Sequence, residues 1–305
     1  MSKLRAYLVL MRPPNLLTAL ADILAGFAAS ASLQHVRGPG VFNFIQHQLP
    51  WEKLCLTGLS SVCLYAGGVV LNDVFDAKLD QVERPERPIP SGLVPRTNAA
   101  IMGGLFLIMG VIMAFLSNRT SGLMALIISA LVLSYDAVSK SHPIAGPLNM
   151  GLCRGMNLLL GVCIFPGHLT ELGFLAIIPI IYVVAITVTS RGEVHGGDRM
   201  SFNLSMGLFL LTALMLISLG VLEQFSLWQC LIYVTLLMAM VIPPLLRARR
   251  SNDPAMIGKA VKSAVLGLII LDAAIAAGFT GWFFGLLLLI LLPFSVMLAK
   301  VFAVT

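Results

Sequence analysis

The sequence predicts an all-α, polytopic transmembrane helix bundle, and three observations carry that prediction. Of 305 residues, 58% are hydrophobic and only 11% charged, against about a quarter charged in soluble domains. The mean hydropathy is +0.93. The apolar residues also fall in blocks of roughly 18 to 20, each long enough as a helix to cross a hydrocarbon core of about 30 Å.

In order, the blocks run at about 16–33, 54–71, 98–116, 121–135, 148–165, 172–189, 202–222, 227–246, 261–279 and 282–299. The first follows Lys3 and Arg5, as a signal peptide's apolar core would. Its length and the lack of a clear cleavage site make it the first membrane helix instead. The block at 121–135 is short, and 261–299 admits other divisions, so nine helices are the minimum and ten the preferred count. The longest polar stretches are about 34–53 and 72–97. Neither holds a separate soluble domain, so residues 1–305 read as one domain. Cys55, Cys63, Cys153, Cys163 and Cys230 stand singly in apolar blocks, with neither metal spacing nor a disulfide framework.

The net charge of +6 reads as topology and not as nucleic-acid binding. With ten helices, sixteen of the 20 Lys and Arg fall on one side. They are Lys3, Arg5 and Arg12, four in 72–97, Lys140, Arg191 and Arg199, five from Arg247 to Lys262, and Lys300. The positive-inside rule then places both termini in the cytoplasm. A bacterial inner membrane is the simplest host.

Acids contribute little to topology, yet eight of the 14 lie in or beside three cytoplasmic connections: Asp73, Asp76, Asp80, Glu83, Glu86, Asp136, Glu193 and Asp198. The densest run is Asn72-Asp73-Val74-Phe75-Asp76-Ala77-Lys78-Leu79-Asp80. If the second helix continues through it, Asp73, Asp76 and Asp80 share an arc of about 60°. Crowded carboxylates repel one another unless a cation lies among them. Magnesium suits this set, because it takes a few carboxylates and completes its shell with water and phosphate oxygens. The alternative is a solvated helix end with the acids paired to Arg84 and Arg87. Glu83-Arg84-Pro85-Glu86-Arg87-Pro88-Ile89-Pro90-Ser91-Gly92 follows at once. Prolines stiffen that loop, and arginines present planar forks that match phosphate oxygens. Together the two segments read as a diphosphate site at the membrane surface.

These residues resemble the first signature of the UbiA superfamily of intramembrane prenyltransferases, and Arg12-Pro13-Pro14-Asn15 resembles that family's approach to its first helix. Within the superfamily, the branch called EboC is the most similar. The resemblance implies nine core helices around a cavity, with a tenth here at the C-terminus. It also implies magnesium, an isoprenoid diphosphate donor, a small-molecule acceptor such as an aromatic or quinone precursor, and membrane lipid as the solvent. Carried over by position, Asn72 binds substrate, Asp73, Asp76 and Asp80 hold the metal, and Arg87, with Arg84 nearby, binds diphosphate. Tyr135-Asp136-Ala137-Val138-Ser139-Lys140 resembles the family's tyrosine–lysine segment with one residue too many. Lys140 there would neutralise the leaving diphosphate, or would be a lysine that only sets topology. Arg154 and Asn157, one turn apart in an apolar block, are further phosphate candidates, since an intramembrane arginine faces a cavity or a partner.

The second signature departs from the family pattern. Thr189-Ser190-Arg191-Gly192-Glu193-Val194-His195-Gly196-Gly197-Asp198 has its second acid five residues after Glu193, not four. On a regular helix the two acids would point about 140° apart. The glycines suggest a loop that could gather Glu193, His195 and Asp198. Glu193 and Asp198 are thus candidate metal ligands, and Arg191 a fixed positive charge for the substrate. His195 is a ligand, a base or a hydrogen-bonding loop residue. Asp22 and Asp272, inside apolar blocks, either line a cavity or find a hydrogen-bond partner where close helix packing supplies one.

The expected activity is magnesium-dependent prenyl transfer: Asp76 and Lys140 act on the diphosphate, and Glu193 or His195 serves as base. Two other classes remain open. A transporter would explain ten helices and intramembrane charges, but the main polar motif lies at the surface. A degenerate relative would bind a prenyl lipid without turnover.

Overall fold

The computed structural model describes residues 2–33, 49–193 and 196–302. A short α1 (Lys3–Leu10) leads into α2 (Pro13–Ser32), followed by α3 (Trp51–Phe75) and its brief continuation α4 (Ala77–Glu83). Then come α5 (Arg96–Ser117), α6 (Arg119–Ser134), α7 (Ala145–Val162), α8 (Ile177–Ser190), α9 (Arg199–Ser218), α10 (Leu227–Ser251) and α11 (Pro254–Thr280). The chain closes with α12 (Trp282–Leu289) and α13 (Leu291–Val301), which run on as a single span.

Among the described residues, nine helical segments are long and apolar enough to cross a membrane. The one sequence block outside these nine, at about 148–165, is α7, whose 18 residues include Asn149, Arg154 and Asn157, all buried. It is too polar to face lipid and packs between α2, α6 and α8. The division between the last two blocks falls at Gly281, whose φ of 112° is open to glycine and strained for other residues.

The arrangement follows from the rule that helices in lipid associate by close packing of small side chains. The alanine-rich α2 and α11 form the centre and pack on each other, while α5, α6 and α9 bury about a third or less of their apolar windows. Where α2 crosses α7, a Cβ on Gly26 would lie 2.1 Å from Leu158 O, and one on Gly161 would lie 2.4 Å from Ile23 O. Glycine at both positions lets the backbones touch.

A second, smaller apolar cluster lies beneath the polar end of α3. Ala6, Leu10, Val70, Val74, Ala77, Ile89, Val94 and Ala99 build it, so the loop after α4 rests on a packed floor.

Candidate active site

The first acidic run is helical nearly throughout. Asp76 N donates to Asn72 O, Asp80 N to Asp76 O and Arg84 N to Asp80 O, each at 2.9 Å, so Asp73, Asp76 and Asp80 do share a face. The loop that follows folds back through Val94 N to Pro88 O at 3.0 Å. Arg96 Nε then donates to Val74 O at 3.0 Å. This turn directs Arg87 onto the acids: Nη1 lies 2.8 Å from Asp80 and 3.5 Å from Asp73.

Each carboxylate meets a cation from a different part of the chain. Asp73 pairs with Arg12 at 2.8 Å, Asp80 with Arg87, and Asp76 with Lys140. Lys140 reaches its partner although its segment is one residue longer than the family pattern. The reason is local: Tyr135–Ser139 forms a π-helical turn, closed by Lys140 N donating to Tyr135 O at 3.0 Å. Such a turn absorbs one extra residue and is common at functional sites. It also sets Asp136 Oδ1 to accept from Asn72 Nδ2 at 2.7 Å.

Arg12 is the site residue that sequence reasoning noted only as part of a resemblance. Its backbone is left-handed, with φ 49° and ψ 62°, a conformation that costs a non-glycine residue about 1–3 kcal/mol and clusters at functional sites. The signal lay in Arg12-Pro13-Pro14, where prolines start a helix and leave the preceding residue to make the corner.

The second acidic segment behaves differently. Arg191–Glu193 is a short 3-10 turn, with Arg191 Nη2 donating to His142 O at 3.1 Å. Arg87 serves the first acidic segment. Asp198 caps α9, accepting from Ser201 N at 2.8 Å. The Ser201 hydrogen bonds hold its exposed carboxyl below the usual carboxylate range. Asp198 Oδ1 is thus engaged at the start of α9, while Glu193 closes the 3-10 turn. His195 lies outside the described residues. A pocket of about 210 Å³ borders this segment, lined by Thr189, Arg191, Gly192, Gly196, Asp198 and Phe202 among others.

Arg154 and Asn157 do not reach the diphosphate face. They join a cluster about 15 Å deeper, taking the rise along α2 from Arg12 to Asp22. Arg154 Nε lies 2.9 Å from Asp22 Oδ2, and Asn157 Nδ2 donates to the same oxygen at 2.8 Å. Ser61 donates to Asn157 Oδ1 at 2.7 Å, and Arg154 lies over the Tyr65 ring, 5.7 Å from its centre. Asp22 and Asp272 are both fully buried; Asp22 pairs with Arg154, whereas neither carboxylate oxygen of Asp272 has a hydrogen-bond partner among the described residues.

The residues at the surface site suit magnesium by chemistry. Asn72, Asp73, Asp76, Asp80 and Asp136 offer only oxygen donors, and Asp136 Oδ2 is buried without a hydrogen-bond partner. As they stand, no three His, Cys, Asp or Glu side chains converge on one point among the described residues. Asp73, Asp76 and Asp80 are turned to basic partners, and Asp136 to the Asn72 amide.

Fold and site together define an intramembrane prenyltransferase that draws on an isoprenoid diphosphate. The chain belongs to the UbiA prenyltransferase family, which it matches over residues 41–266. It is 32% identical to the digeranylgeranylglyceryl phosphate synthase of Methanosarcina mazei over 203 residues, covering 65% of this chain and 68% of that one. With the synthase of Methanothrix thermoacetophila it shares 30% identity, covering 77% and 79%. Among solved structures, the apo UbiA homologue of Aeropyrum pernix superposes with a TM-score of 0.64 at 15% identity, covering 85% and 96%. The Archaeoglobus fulgidus homologue bound to GPP and Mg2+ superposes at 0.59 with 14% identity, covering 85% and 99%.

Proposed function

We propose that the chain transfers a prenyl group from an isoprenoid diphosphate to a small polar acceptor at the cytoplasmic end of the bundle, with magnesium bound at the first acidic motif. The observation that carries this reading is the interlocked set Arg12–Asp73–Arg87–Asp80 beside Lys140–Asp76. Acids for a cation and bases for a polyanion lie alternately on one face, each neutralising the other until substrate arrives.

Magnesium, when bound, shields the diphosphate and polarises its ester oxygen. Asn72, Asp73, Asp76 and Asp80 would hold it. Arg87 and Lys140, released from their carboxylates, take the phosphate oxygens and stabilise the charge that grows as the C–O bond breaks. Arg191 adds positive charge at the rim, and Tyr135 stands on the π-turn where the prenyl end leaves the polar zone. Glu193 lies within the field of Arg84 and is the candidate base for the acceptor proton. The relatives' product is a glyceryl phosphate carrying two geranylgeranyl groups, which favours an acceptor with an alcohol and a phosphate over an aromatic acid. The charge bias supports cytoplasmic termini; the relatives are mostly archaeal and lend no support to a bacterial membrane.

The test is diphosphate release from geranyl, farnesyl and geranylgeranyl diphosphates by purified protein, with lipid extract as acceptor source, with and without magnesium. Release that needs magnesium and is lost in Asp76→Ala supports the proposal. A second reading, prenyl-diphosphate binding without turnover, is favoured by the diversion of Asp198 to a helix cap. It predicts binding without release.

A further inference from the structure

One acid of the site has no role in the family pattern. Asp136 accepts from Asn72 Nδ2 through Oδ1, while its Oδ2 is buried and without a partner among the described residues. An unsatisfied buried acceptor costs about 1–3 kcal/mol, more when charged, so its persistence needs a reason. Its bond to Asn72, together with the Lys140–Asp76 pair made from the same turn, places it beside the first motif. The other three carboxylates there each hold a cation, whereas Asp136 forms no ion pair among the described residues and its bonded oxygen meets only the Asn72 amide.

The π-turn explains how it came to face the site. The extra residue in Tyr135–Ser139 widens the helix by one position, so both Asp136 and Lys140 turn toward α3. Meanwhile Asp198 has been withdrawn to cap α9. The chain has lost one carboxylate from the second acidic segment and holds a spare one beside the first.

We propose that Asp136 is a fourth carboxylate of the cation-binding face, contributing Oδ2 to the divalent ion that accompanies the diphosphate and fixing the Asn72 amide through Oδ1. The inference rests on the prenyl-diphosphate reading. It differs from a merely orienting role in one respect: the negative charge on Oδ2 matters, and not only the hydrogen bond at Oδ1. Asp136→Asn separates the two, because its amide oxygen still accepts from Asn72 while the charge is gone.

The experiment is titration of Mn2+ into the detergent-purified full chain with inorganic diphosphate present, following the free-ion signal by electron paramagnetic resonance. Asp136→Asn is expected to weaken Mn2+ binding about tenfold or more, or about 1.4 kcal/mol. Metal-free binding of diphosphate, which rests on Arg87 and Lys140, should hold or strengthen and so report an intact site. Asp136→Ser, small enough to be tolerated in any packing, repeats the comparison and is expected to weaken Mn2+ binding at least as much. Mn2+ binding by Asp136→Asn within about twofold of the unaltered chain would overturn the inference and leave the prenyl-diphosphate reading standing. Failure of the unaltered chain to bind Mn2+ with diphosphate would overturn both.

Discussion

Two clusters of acids and bases lie along α2, one at Arg12 and one at Asp22. They are built from similar residues and do different work. At the surface, Asp73, Asp76 and Asp80 pair with Arg12, Lys140 and Arg87, and the basic partners keep 12–33% of their side-chain surface. Solvent and a polyanion can reach those pairs and exchange them. In the deeper cluster Asp22 keeps no exposure and Arg154 8%. Asp22 and the Arg154 guanidinium there are tied together by Asn157, which donates to Asp22 and accepts from Ser61. Removal of one member of a buried pair strands the other's charge; removal of one member of an exchangeable pair leaves a group that water can solvate. On the proposed reading the first cluster is chemistry and the second is architecture, joining α2, α3 and α7.

The sharpest break of this comparison is in activity. Asp76→Ala is expected to lower diphosphate release by at least about a thousandfold, roughly 4 kcal/mol of barrier, with thermal stability unchanged. Lys140 then loses its partner but remains solvated. A large fall in melting temperature would instead put the surface cluster on the architectural side.

The mirror experiment is Asp22→Ala, which leaves Arg154 unpaired in the membrane interior and should destabilise the fold by about 3–5 kcal/mol. Asp22→Asn combined with Arg154→Met removes both charges and should recover most of that loss. The measurement is unfolding in detergent, followed by helicity. If the double variant were as unstable as the single one, the charges would not be the cause.

A finer test concerns the π-turn. Deleting Val138 should let the turn relax to an α-helix while Lys140 stays opposite Asp76, so release falls by no more than about tenfold, or about 1.4 kcal/mol. Inserting one alanine there should carry Lys140 off the face and cost more. Equal effects from the two changes would show that register at this turn is unimportant.

Much of this was legible in the sequence, and the limit has a physical form. Helix blocks follow from apolar run length, and α3 with its acids follows from 3.6-residue periodicity, both of which are local. The pairings Arg12–Asp73, Lys140–Asp76 and Asp22–Arg154 join residues 61, 64 and 132 positions apart, and no periodicity encodes which helices meet. The π-turn looked like a spacing error because an i to i+5 bond is a local choice made by tertiary demands. At Asp198 the sequence carried two signals: Asp-x-x-Ser ahead of an apolar run is a helix-start pattern, and it competed openly with the metal reading.

That competition yields the smallest expected effect. Asp198→Ala removes the cap of α9 and should lower the melting temperature slightly, while magnesium-dependent release persists. The pH sense is fixed by its depressed carboxyl: the stabilisation is full above the ordinary carboxylate range and fades as pH falls through the lower folded value. Asp198→Asn, whose amide oxygen can still accept from Ser201 N, should match the unaltered chain at neutral pH and lack that acid-side loss. If Asp198→Asn instead abolished release while melting normally, the carboxylate would belong to the chemistry after all, and α9 would begin at a second metal site and not at a cap.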